Sequence, residues 1–169
     1  MLGLVTAISR TRLQELGLRE LYDSLRRLPG GGRLFELFAK VYVPHTWSLG
    51  FRVETLDDRE IAVSMPDRPS NRNHLKSLHA IALAHLGEFT SGLLLLYAVQ
   101  PMGYRTILKK FQIEYLAKAR GRVTAQATLK LPKGSLDKKD VTLTVEIRDR
   151  SGTLVARAKP TWRVGKIPR

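Results

Sequence analysis

The sequence predicts an α+β fold in which one antiparallel sheet curls around a single apolar helix. Three observations carry that expectation. The stretch from Asn73 to Tyr97 is apolar on nearly every side, as a helix enclosed by other chain must be. Beyond Gly103 the apolar period changes to two and stays there. The links between those alternating segments, Ala119-Arg120-Gly121, Lys133-Gly134-Ser135 and Arg150-Ser151-Gly152, are short enough for a meander with one face on a core.

The elements follow in order. Residues 9–28 read as an amphipathic helix with Leu18, Leu21, Leu25 and Leu28 on one stripe, stopped by Pro29-Gly30-Gly31-Gly32. Those glycines are not a phosphate loop, because no strand precedes them and no Gly-Lys-Ser/Thr follows; they read as a hinge. Leu34 to Val43 makes a second short helix, ended before Pro44, after which His45 and Trp47 lead into the sheet. Leu49-Phe51-Val53 and Ile61-Val63-Met65 alternate with polar residues around Asp57-Asp58, which is a hairpin. Pro66 to Arg72 is a loop. The apolar helix comes next, with Ser77 as its expected N-cap and Gln100-Pro101-Met102-Gly103 closing it. Ala80, Ala84 and Gly87 are small, as close approach of a sheet to a helix requires.

Four alternating strands complete the chain. Ile107, Lys109, Phe111, Ile113 and Tyr115 are expected on one face of the first. Val123 to Leu131, Val141 to Ile147 and Leu154 to Val164 supply the inward positions of the others, and Lys166 to Arg169 reads as a loose end. The 169 residues make a single domain with a helical extension over residues 1–48 and a sheet-and-helix unit over 49–169.

Composition bounds the function. Apolar residues at 43% and charged residues at 26% exclude a disordered chain. With no cysteine, disulfide and thiolate chemistry are excluded and a reducing cytoplasm is the expected compartment. Residues 1–8 are apolar without a basic segment before them, so a secretory signal is not expected. No membrane span is expected either, since the uninterrupted apolar run Leu93 to Val99 is far short of about 20 residues. The net charge of +14 is uneven: residues 100–169 hold 17 Lys/Arg and 5 Asp/Glu. That surplus suits an anionic partner, or simply solvated strand faces. Nucleic acid is disfavoured, because the few aromatics lie on strand faces expected to pack inward.

Few polar groups interrupt the apolar helix, and Glu88 is the one that most needs a reason, because burial in such surroundings raises a carboxyl pKa and so prepares an acid or base. His85 and Glu88 put one His–carboxylate pair on a helical face, but no second such pair exists, so no metal is expected. There is no Gly-x-Ser-x-Gly elbow and no dinucleotide fingerprint.

Asn73, His79 at the start of the helix, and Leu86-Gly87-Glu88, with the acid nine positions after the His, resemble the motif of the hotdog fold. More closely, the chain is similar to the PaaI-type acyl-CoA thioesterases and to their branch known only as a thioesterase-like domain of unknown function. Tyr115 to Gly121 is similar to the family's strand-turn segment, and Arg148 to Ala156 to its final hairpin; the resemblance spans roughly residues 33–165. Two positions depart from it: Ala80-Ile81 stand where the family has two glycines, and Glu88 where it has an aspartate.

The resemblance implies hydrolysis of an acyl-CoA or acyl-carrier-protein thioester, with coenzyme A as part of the substrate and no separate cofactor. Glu88 would be base or nucleophile. Asn73 would hold water or the carbonyl, and His79 would orient the thioester or supply a proton. The backbone amides near Ala80 and Ile81 would bind the carbonyl oxygen. Lys118, Arg120 and Arg122 would meet phosphates. Nine helical residues place His79 and Glu88 half a turn and about 13.5 Å apart, so they can share a reacting atom only between two chains. A homodimer follows, with a tetramer as the larger assembly. The alternatives are a non-catalytic hotdog protein that binds an acyl chain or a partner and, ranked last, a hotdog dehydratase, whose usual Pro-Gly before the helix is absent.

Overall fold

The computed structural model describes residues 17–46 and 48–168. Expectations for residues 1–16, Trp47 and Arg169 lie outside them. Among the described residues, three α-helices, α1 (Leu18–Leu25), α2 (Gly31–Tyr42) and α3 (Ala80–Val99), accompany seven strands. These are β1 (Arg52–Leu56), β2 (Glu60–Met65), β3 (Tyr104–Tyr115), β4 (Val123–Thr128), β5 (Lys139–Thr142), β6 (Val145–Asp149) and β7 (Leu154–Lys166). They form one antiparallel sheet in the order β1-β2-β4-β6-β7-β3, with β5 also on β7. The expected hairpin is β1–β2, where Asp57 Oδ1 accepts the amides of Arg59 and Glu60 to make the turn.

The sheet wraps α3 as the pattern predicts. By length and apolarity α3 could cross a membrane, yet Leu86, Leu94, Leu95 and Val99 are wholly buried against the strands. Each such side chain contributes about 1.5–3 kcal/mol. Its buried hydroxyls bond back to the helix, Thr90 to the Leu86 carbonyl and Ser91 to that of Glu88. Close approach is made at two glycines. A Cβ on Gly87 would stand 3.1 Å from that of Ala158, and one on Gly92 would meet the Trp162 ring at 2.7 Å. Ala80 and Ala84, expected to serve the same purpose, are only half-buried.

Several local expectations are corrected. The hinge reading of the glycines holds only for Gly30, whose φ of 76° suits glycine. Gly31 and Gly32 open α2, and Gly31 lies so close to the Leu25 carbonyl that no side chain fits there. In α1 the packing face is Leu18, Tyr22 and Leu25, of which Leu18 and Leu25 belong to the expected stripe, while Leu28 lies past the helix end and is exposed.

The face expected for β3 changes halfway, because the register with β7 jumps between Leu108 and Lys110. Lys109 is the extra residue of a bulge, so Tyr104, Thr106 and Leu108 face inward before it and Phe111 and Ile113 after it. Ile107 therefore points outward, 67% exposed. The strand expected over Val141 to Ile147 is split into β5 and β6 opposite Pro160. Its carbonyl accepts from Leu143 N, but it has no N–H to return.

The N-terminal helices are clamped to the far half of α3. Tyr22 meets Phe35 and Tyr97 edge-on at 4.8 and 5.9 Å. The Leu18 amide donates to Gln100 Oε1 at 2.7 Å, and Tyr97 donates its hydroxyl to Asp23. Burial, with Asp23 beside it, pushes the Tyr97 hydroxyl up to about 12.

Candidate active site

Two groups of side chains sit on α3, one at its start and one about two and a half turns on. The start is built by the loop before it. Asn71 is 1% exposed, and its Nδ2 donates to the carbonyls of Leu49 and Pro66 at 3.0 and 2.9 Å. Its backbone carbonyl accepts from His79 N at 2.7 Å, and Leu78 N donates to the Ala119 carbonyl at 2.9 Å. Asp67 ties the same loop to the β3–β4 turn by accepting from Arg72 and from Gly121 N. The Arg72 guanidinium holds its carboxyl below the usual range.

Asn73 folds the tip of this loop. Its Oδ1 accepts from Leu75 N at 2.9 Å and lies within 3.4 Å of the Ser77 amide and hydroxyl. With Ser77 so engaged, the chain stays extended through His79, and the N-cap is His79 instead of the expected Ser77. His79 Nδ1 accepts from Ile81 N at 3.1 Å. A neutral imidazole that accepts at Nδ1 carries its proton on Nε2, so His79 presents an N–H to solvent. The cap occupies the Ile81 amide. Those of Ala80 and Ala82 have no acceptor among the described residues and remain at the positive end of the helix.

Of the other predicted residues, Lys118, Arg120 and Arg122 are exposed on the turn that packs against Leu78. Arg122 pairs with Glu54 at 3.7 Å, while Lys118 and Arg120 have no ionic partner among the described residues. Tyr115 donates its hydroxyl to the Ala80 carbonyl at 2.9 Å, which fixes the end of β3 on the helix start.

Glu88 lies in the second group. It is half-buried, and among the described residues nothing hydrogen-bonds its carboxylate. Burial raises its pKa, opposed by His45 nearby. His45 comes from the helical turn Pro44–Thr46, and its ring stacks on His85 at 4.6 Å. Phe51 meets His85 edge-on at 5.2 Å. Burial, and then the neighbouring His45, lower His85 to about 4, so it is neutral at pH 7. Only the return of the chain from α2 brings His45 beside Glu88, and no spacing signals it. Among the described residues, no three His, Asp or Glu side chains converge to hold a metal ion.

A groove of about 230 Å³ runs from Glu88 between α2, α3 and the β3 side of the sheet. Within one chain, then, the structure gathers Asn73, His79, Ala80, Ile81 and the Lys118–Arg122 turn at one end of α3. Glu88 stands apart from them with the two histidines and the groove.

Comparison with known proteins agrees with this architecture. A family model described as "Domain of unknown function (DUF4442)" matches residues 31–164. No protein of curated function matches the chain by sequence. Among solved structures, the structural-genomics protein APC5556 is 24% identical, covering 89% of this chain and 99% of its own, with a TM-score of 0.77. PA5026 from Pseudomonas aeruginosa, described as a protein of unknown function and "Probable Thioesterase", is 23% identical over 83% of this chain and 97% of its own, with a TM-score of 0.72. Thioesterase HI1161 from Haemophilus influenzae is 19% identical over 74% and 85%, with a TM-score of 0.65. The fold is the hotdog fold.

Proposed function

The chain belongs to the DUF4442 family of domains of unknown function, and we propose that it is a thioesterase whose active site is shared between two copies of the chain. The observation that carries this reading is Glu88, a half-buried carboxylate with no hydrogen-bond partner among the described residues, at the end of an apolar groove. A desolvated carboxylate is a stronger base than one in water.

In the proposed step, Glu88 takes a proton from water as its oxygen bonds to the thioester carbonyl carbon. The carbonyl oxygen becomes an oxyanion, held by the Ala80 amide and the His79 Nε2–H of the other copy. Collapse breaks the C–S bond, and the proton on Glu88 passes to the leaving thiolate. Asn73, whose Oδ1 is spent on its own loop, acts here by folding the turn that leads through Ser77 to His79. Lys118 and Arg120 supply charge for the phosphates of an acyl-CoA or the acidic face of an acyl carrier protein.

Two features support the pairing of copies. β3 is a 12-residue edge strand, long enough to template another sheet edge. Ile81, Tyr115 and Leu116, at 65%, 46% and 50% exposure, leave apolar surface around the helix start that a second copy would cover. A second reading, an acyl-binding protein without turnover, is favoured by the His79 ring on the Ile81 amide, which withdraws one oxyanion donor.

The experiment is hydrolysis of an acyl-CoA panel with release of free thiol as readout. Wild type should turn over at least one chain length, and Glu88→Gln should lose about 10²–10⁴-fold in kcat while remaining dimeric. No turnover across the panel moves the assignment to the binding protein.

A further inference from the structure

The N-terminal helices do more than shield α3, because they form one wall and the far end of the groove that begins at Glu88. One wall is α2, through Phe35 and Phe38, continued by Val43 just past its end. The floor is the α3 face carrying Gly92, Leu93 and Leu96, with Trp162 beneath. Only Glu88 at the mouth and Thr106 at one side are polar among the described lining residues. The direction is fixed by tertiary contacts. Val43 precedes the turn that places His45 on His85, next to Glu88. Phe35 packs on Tyr22, which packs on Tyr97. At that far end stands Leu18, 8% exposed and pinned through its amide to Gln100.

We infer that this groove holds the acyl chain of the substrate and that α1 and α2 set its length limit, a conclusion that rests on the thioesterase reading. From Glu88 to Leu96 is eight residues, about 12 Å along the helix. An extended chain of carbon–carbon bonds of about 1.5 Å at tetrahedral angles advances about 1.25 Å per carbon. A straight chain of about eight to ten carbons therefore reaches from the carboxylate to Leu18 and Leu96. Longer chains must leave the groove, and shorter ones leave it part-filled. Residue 18 precedes the residues matched by the family model, so the far end is built by chain outside that match.

The test uses S-alkyl-CoA thioethers, which cannot be hydrolysed, from butyl to hexadecyl, in titration calorimetry with the full chain. Affinity should rise about fourfold per added methylene, the increment for burying one, up to about ten carbons, and then level off. Leu96→Trp fills the far end and should move the break to chains shorter by about three carbons. Leu18→Ala opens it and should move the break to longer ones. Melting curves confirm that both variants are folded. An uninterrupted rise to hexadecyl, a break that neither variant moves, or no binding overturns the proposal. Hydrolysis of the matching thioesters is measured in parallel. Thioether binding with the expected break but no hydrolysis retires the thioesterase reading and leaves the groove as a binding site for alkyl chains. Hydrolysis with no break does the reverse.

Discussion

Replacing Gly92 by alanine pits two effects of opposite sign against each other. By helix propensity alone, alanine in place of a mid-helix glycine stabilises by about 1 kcal/mol. Against that, a Cβ at position 92 would lie 2.7 and 2.8 Å from two ring carbons of Trp162. Carbon atoms rest about 3.5–4.0 Å apart, so the ring must retreat by about 1 Å. It cannot do so freely. Trp162 lies in the middle of β7, paired with Leu108 on one side and Val141 on the other. Its Nε1 also donates to Ser91 Oγ at 3.1 Å, a bond the retreat would break. Overpacking of this kind costs about 1–3 kcal/mol. A lost buried hydrogen bond adds about 0.5–1.5. The net expectation is a destabilisation of about 1–3 kcal/mol, measured by equilibrium urea denaturation with tryptophan fluorescence. Gly32→Ala is the control: nothing lies within 4 Å of its added Cβ, so it should be neutral or stabilising. Gly92→Ala as stable as wild type or more so would refute the close packing of β7 on α3.

Three further outcomes are expected. The unfolded chain protonates His85 near pH 6.5 and the folded one near 4, so the unfolded state binds more protons in between. This contribution to stability is complete above about pH 6.5 and is lost as pH falls toward 4. With the ring partly solvated it is on the order of 1–2 kcal/mol, read as a drop in urea midpoint between about pH 7 and about pH 5 that His85→Phe should flatten. Asn71→Ala leaves the Leu49 and Pro66 carbonyls without their donor and should cost about 2–4 kcal/mol, with faster amide exchange at His79; unchanged exchange there would separate Asn71 from the helix start. Ile81→Asp should give a monomer by light scattering and abolish hydrolysis, whereas Leu28→Asp, at another exposed position, should leave both unchanged.

The physical reasons for what the sequence disclosed differ by element. The enclosed helix was legible because a segment apolar on nearly all sides, Leu83 to Val99, needs a wrapped core or lipid around it, and the one-sided strands that follow supply the core. The meander was legible because alternation in β4 and β7 matches one buried face. The bulge at Lys109 was not, because neither Lys109 nor Lys110 has a side chain that marks an unpaired residue; only the register with β7 reveals it. The N-cap was misplaced for a similar reason. Ser77 is a good cap by type, but Asn73 already claims its amide and hydroxyl.

The candidate site divides the same way. Glu88 stood out as a lone carboxylate in an apolar run, and the structure leaves it desolvated as expected. Asn71, Asn73, His79 and the Ala119 turn are assembled by hydrogen bonds within one loop and its neighbour, which local sequence partly encodes. The His45–His85 stack and the groove are not local. They depend on how α2 returns along α3, a tertiary path set by Tyr22, Phe35 and Tyr97 rather than by a motif.

The central claim, a site made by Glu88 of one copy and His79 of another, is tested most directly by subunit complementation. Glu88→Gln and His79→Ala chains are each purified, shown to be inactive, and then mixed through a reversible dissociation step. In a mixed dimer one site carries both defects and the other carries neither. Purified heterodimers should therefore regain about half of the wild-type activity, as the two-fold symmetry of such a dimer requires. Heterodimers as inactive as either parent would contradict the shared site.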